Sequence, residues 1–168
     1  MIPIFLNYSI VQGLIFTLFF NGYLLFIMIT FSPRIWGYQD YSKEIKAKIQ
    51  PQTKQERQTA ILISIPFFLL IFGLPVYSLL TLKSQLGGEL PFLTAFTHLL
   101  TLFIIGTFGD LVILDWLIVS KITPKFVIIP GTREEDYKDF SHHYKGHAFA
   151  AIPIILICAL VAAIISYL

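Results

Sequence analysis

A single cysteine, Cys158, is all the thiol chemistry in the 168 residues, so neither an intrachain disulfide nor a paired-thiol redox centre can form. Charge is also scarce. Asp, Glu, Lys and Arg make up 13% of the chain, against about 25% in an ordinary soluble domain. The formal net charge of +2 is too small to hold a polyanion, which excludes nucleic acid as a partner. No Lys or Arg precedes the first apolar run and no small-residue cleavage site follows it, which argues against a secretory signal peptide. What the chain does have is apolar surface, with 56% hydrophobic residues and a mean hydropathy of +0.76. That composition excludes disorder and a soluble globular enzyme. It predicts a small multi-pass membrane protein whose first partner is the lipid bilayer. The heavy use of Ile, Phe and Lys suggests an AT-rich bacterial genome.

A helix needs about 20 mostly apolar residues to cross the hydrocarbon core. Four stretches qualify, at residues 8–31, 59–82, 92–120 and 148–168. Ser32-Pro33 ends the first, because proline cannot continue a helix. The second carries Pro66, Gly73 and Pro75, which membranes tolerate, and a kink is expected near Pro75. An outer turn, 83–91, has Gly87-Gly88 at its tip. The third stretch would be roughly 43 Å long, longer than the bilayer core, so it tilts or projects. The expected fold is an all-α integral membrane protein, one domain over 1–168. Four transmembrane helices form an up-down-up-down bundle, with close helix contacts at Gly106 and Gly109. Residues 32–58 and 121–147 are the long loops. Within the second, Lys125–Ile129 reads as a short strand or a segment lying on the membrane surface.

The basic residues set the orientation. Arg34, Lys43, Lys46, Lys48, Lys54 and Arg57 lie in the first long loop. Lys121, Lys125, Arg133, Lys138 and Lys145 lie in the second, and Lys83 alone lies in the outer turn. The positive-inside rule therefore puts both long loops in the cytosol and both termini outside the plasma membrane. Trp36, Tyr38 and Tyr41 read as an interfacial aromatic belt.

Candidate chemistry gathers toward the cytosolic side. Asp110 and Asp115 are the only acidic residues inside an apolar stretch, and a carboxylate there is costly enough to need a partner or a task. Five α-helical residues are about 140° apart around the axis, so the two are expected on different faces. Asn21 falls at a similar depth to Asp110 on a helix running the same way. This predicts an Asn21–Asp110 contact, direct or through water, at a polar intramembrane site that also holds Asp115. The second cluster is metal-like. Glu135, Asp139, His143 and His147 recur every four residues and would form one helical stripe. Asp139, His143 and His147 are then candidate ligands for a divalent transition metal: zinc, manganese or iron. His98, near Thr94, Thr97 and Thr101, reads as a hydrogen-bonded or interfacial histidine rather than a ligand.

Three functions fit these residues. One is an ion- or proton-linked transport module with Asp110 as its site, small enough to need a homo-oligomer or a partner membrane protein. Another is a metal-dependent or acid–base membrane enzyme at the cytosolic face using Asp115, Asp139, His143 and His147. The third is an accessory or scaffold subunit with no site.

Overall fold

The computed structural model describes residues 4–168, and its regular elements are all helical among those residues. The uncharged first stretch forms α1 (Ile4–Thr30). Ser32 then caps the short α2 (Pro33–Trp36), its hydroxyl accepting from the Arg34 amide, and α3 (Lys43–Lys46) follows. The second long helix opens as α4 (Lys54–Phe68), five residues ahead of its apolar stretch. A capping box explains the early start. Thr53 Oγ1 accepts from the Glu56 amide at 3.2 Å, and Glu56 Oε2 accepts from the Thr53 amide at 2.7 Å. At Pro75, where the sequence predicts a kink, a π-helical turn (Leu69–Gly73) leads into α5 (Leu74–Gln85). Proline has no amide hydrogen for the carbonyl one turn back, and a local change of register absorbs that loss.

The third long helix is α6 (Phe92–Gly109), which runs without a break into a π-helical segment, Asp110–Ile122. The fourth is α7 (Ser141–Tyr167). It begins seven residues before the apolar stretch at 148, so His142–His147 is helical. Among the described residues, four helices are long and apolar enough to cross a membrane. Large apolar side chains cover their outer faces, Leu69 and Phe149 among them at 68% and 78% exposure. Such a surface suits hydrocarbon rather than water.

Contacts fix the relative directions. Ser9 meets His98, Phe16 meets Gly106 and Thr17 meets Gly109, so α1 and α6 advance in parallel. Tyr8 bonds the Ser78 carbonyl and Tyr23 the Ile63 carbonyl, so the α4–α5 helix runs against α1. Gly106 and Gly109 do make the close contacts expected of them. A Cβ on Gly106 would lie 2.6 Å from the Phe16 ring, and one on Gly109 would lie 2.5 Å from Thr17 Cγ2. Phe16, Phe20, Leu79, Leu99, Leu102 and Phe103 fill the bundle between these helices.

The segments joining α1 to α4 and α6 to α7 fold together as a cap with its own core of Met28, Tyr41, Ile45, Val127, Ile129 and Tyr137. Lys125–Ile129 is neither strand nor surface segment. It is a turn whose Val127 and Ile129 are fully buried, because the Tyr41 hydroxyl donates to the Val127 carbonyl at 3.0 Å and the Ile129 amide donates to the Tyr137 hydroxyl at 2.9 Å. Each of those two side chains contributes about 2 kcal/mol if it leaves water on folding. Tyr41 therefore leaves the aromatic belt the sequence suggests and becomes a core residue of the cap. Arg34 ties the cap to α4. Its guanidinium donates to both Glu56 carboxylate oxygens at 2.6 and 3.0 Å and to the Gln50 and Pro51 carbonyls at 3.0 Å.

Candidate functional site

The site starts from a change of helical register. From Asp110 onward the third helix is π-helical, so residues five apart lie one above the other. The segment closes the same way, with the Thr123 amide donating to the Ile118 carbonyl five residues back at 2.8 Å. Thr123 itself adopts a left-handed conformation, φ 49°, and Pro124 stops the chain from continuing the helix. The expected separation of Asp110 and Asp115 around the helix is therefore wrong. It presumed α-helical turns, whereas π-helical turns put both carboxylates on one face.

That face meets the first two turns of α7, which runs against it. His147 Nε2 lies 2.9 Å from Asp115 Oδ2 and 3.6 Å from Asp110 Oδ2. His143, one α-turn earlier, places Nδ1 3.1 Å from the other Asp115 oxygen. Asp115 is thus held at both oxygens by two imidazoles, and Asp110 approaches only one. The four side chains keep between 14% and 22% of their surface accessible, so they are enclosed but reachable.

One ligand atom each from Asp110, Asp115 and His147 lies within 4.8 Å of the others. Two ligands each about 2.1 Å from a shared ion can lie at most about 4.2 Å apart, and the His147 nitrogen is 2.9 and 3.6 Å from the two carboxylate oxygens, inside that limit. Two carboxylates and one imidazole suit zinc, manganese or iron, and three protein ligands leave coordination positions open.

These groups form one wall of a cavity of about 540 Å³ at the capped end of the bundle. Phe20, Leu24, Ile27, Met28 and Phe67 make the apolar walls. Trp36, Gln39, Asp40 and Tyr41 come from the cap, and His142 and Gly146 from α7. Among the described residues, no Lys or Arg lines it. The His142 ring bonds the Asp40 carbonyl through Nε2 at 2.7 Å, which fastens the cap to α7. Asp40 is solvent-exposed at the cavity's edge. Even so, the protein atoms crowded around it, and then the nearby Asp115, raise its carboxyl above the usual range.

Not every residue singled out from the sequence joins the site. Asp139 is exposed and accepts from the Ser141 amide at 2.8 Å and the Ser141 hydroxyl at 3.0 Å, just ahead of α7. The four-residue stripe breaks there, because Glu135 belongs to a separate 3₁₀ turn (Glu134–Tyr137) and residues 138 and 139 are not helical. Asn21 makes no bond to Asp110. It is buried beside Gly109, and among the described residues neither of its amide atoms has a hydrogen-bond partner. The parallel helices match the two in depth but turn Asn21 toward the glycine. His98 lies far from the cavity and is fully buried, with Ser9 Oγ 2.8 Å from Nδ1, Ser78 Oγ 2.9 Å from Nε2 and the Tyr8 ring stacked on it. That is the hydrogen-bonded histidine the sequence suggests. Sequence reasoning missed Asp40 and His142. His142 could have been found as the third imidazole of the cluster, whereas Asp40 sits among charged loop residues with nothing to mark it.

No protein-family model matches the chain, and no curated protein or solved structure matches it. Fold and site together define it only by build. It is an all-helical chain whose four long apolar helices fit a membrane protein, with an aspartate–histidine cavity where its longest connections close over the bundle.

Proposed function

We propose that the chain is a membrane enzyme whose active site is this cavity and whose substrate is a lipid-soluble molecule. Asp110, Asp115 and His147 hold a divalent transition metal, and His143 orients Asp115. The metal would supply Lewis-acid polarisation of a substrate oxygen or an activated water. A hydrogen bond to the second oxygen of a ligating carboxylate is the kind of outer contact that tunes such a site. The chain sits in the plasma membrane with both termini outside, and the cavity opens at the cytosolic face. This orientation rests on the placement of its basic residues.

The observation that carries the reading is the convergence of two carboxylates and two imidazoles on one wall of an otherwise apolar cavity. Carboxylates carried within an apolar helix usually have a partner or a function, and two of them gathered at one cavity wall argue against an accessory subunit with no site. Proton-linked transport through Asp110 draws less support, because packed core side chains fill the bundle beyond it.

Elemental analysis of the protein purified without chelator tests the metal. Near-stoichiometric zinc, manganese or iron is expected, reduced at least tenfold by Asp115→Asn or His147→Ala and unchanged by Asp139→Asn. Metal-free protein that takes up none of the three on dialysis would remove the metal from the proposal.

A further inference from the structure

Beside the metal-like trio, the cavity has a second polar corner. Asp40 lies next to Tyr41, and the Trp36 and Tyr41 rings are 5.9 Å apart, all three residues lining the cavity. A carboxylate beside aromatic faces is the chemistry that recognises organic ammonium, through charge and through the ring quadrupoles. The lining as a whole favours the same sign. With neutral imidazoles, Asp40, Asp110 and Asp115 give a formal charge of −3, and one divalent ion in the trio leaves −1. No Lys or Arg is present to meet a phosphate. An anionic head would face like charge from Asp40 and from the largely enclosed Asp110 and Asp115, where the interaction is stronger than in bulk water. The remaining walls, with Phe20, Leu24 and Met28, suit an alkyl chain.

On the reading of the cavity as a substrate site, we infer that it takes a long-chain lipid with a cationic ammonium head. The head sits at Asp40 beside the Trp36 ring, the chain lies along α1, and phosphate-headed lipids are rejected. The Asp110–Asp115–His147 trio then faces the part of the molecule next to the head.

Trp36 is a built-in reporter. The only other tryptophan, Trp116, is 45% exposed on the outside of the bundle, so Trp116→Phe leaves fluorescence from the cavity alone. The full chain carrying that substitution would be titrated in zwitterionic nanodiscs. The probes are an alkylamine, an alcohol and an alkyl phosphate of one chain length, each brominated near the head and each competed with its unbrominated form. Saturable quenching is expected to be tightest for the amine, weaker for the alcohol by about tenfold, and weaker still for the phosphate. Asp40→Asn should bring the amine to the level of the alcohol and leave the alcohol unchanged. Phosphate binding as tightly as amine, or an amine preference that survives Asp40→Asn, overturns the ammonium assignment while the cavity remains a lipid site. If no probe quenches Trp36 saturably while circular dichroism shows an intact fold, the substrate-cavity reading fails and this inference with it.

Discussion

Asp115 is the most constrained side chain of the site, because each of its oxygens meets a different histidine. The two histidines are not equivalent. His147 reaches both aspartates, whereas His143 touches only Asp115, on the oxygen turned away from His147. His143→Ala should therefore weaken metal affinity by about 10- to 100-fold without abolishing it, as loss of an orienting partner does. A metal-buffer titration of the variant against the parent measures this. Asp139→Ala should leave affinity unchanged and loosen only the entry to α7, where its carboxylate bonds Ser141. Asp40 has a pH signature. Its folded-state pKa is raised, so its contribution to stability is fully present below its unfolded pKa and is lost as pH rises through the folded value. Asp40→Asn should thus unfold at a higher temperature than the parent at neutral pH, and the difference should vanish in acid. A constant difference across pH would show that Asp40 does not titrate in this way.

At the scale of helices, small residues and register do separate jobs. Gly109 lets α1 approach the third helix, and Gly146 does nothing of the kind, since a Cβ there would meet no atom within 4 Å. Gly146→Ala should stabilise α7 by about 0.5–1 kcal/mol, the backbone entropy a helical glycine loses. Gly109→Ala should cost about 1–3 kcal/mol, because its Cβ would overlap Thr17. Thermal unfolding of the two variants in the same detergent makes the comparison, and equal effects would contradict the packing of α1 on this helix. The π-helical segment has the larger consequence. It changes only how Asp110 and Asp115 are stacked, yet without it the carboxylates would point about 140° apart and could not share His147.

For the whole molecule, the cavity exists because two long connections fold into one cap instead of lying as separate loops. Tyr41, Val127, Ile129 and Tyr137 pack together across more than eighty residues of sequence, and Arg34 clamps the cap to α4. Arg34→Ala should loosen the cap, leaving the Gln50 and Pro51 carbonyls without their donor and Glu56 with only the Thr53 amide. Faster proteolysis near residue 50 is the expected readout, with the long helices still protected. The proposed orientation is checked by a reporter active only in the cytosol, dark when fused to the C-terminus and bright when inserted near Gln52. The reverse pattern would put the cavity on the outer face and overturn the cytosolic assignment.

By itself the sequence determined the four long helices, since length and apolarity depend on local composition alone. It also determined the approach of helices at Gly106 and Gly109, the helical His142–His147 segment and a role for His98 other than ligand, while its burial came from the packing. Partners were beyond it. Periodicity presumes an α-helix, so the π register of Asp110–Ile122 was invisible, and with it the shared face of Asp110 and Asp115. The four-residue stripe ran through a break at residues 138–139 that only the 3₁₀ turn and the Asp139–Ser141 bonds create. Depth along parallel helices put Asn21 level with Asp110 but could not fix rotation about the axis, which turns it onto Gly109. Asp40 enters the site through the cap, whose contacts span 86 residues between Tyr41 and Val127 and leave no local pattern to read.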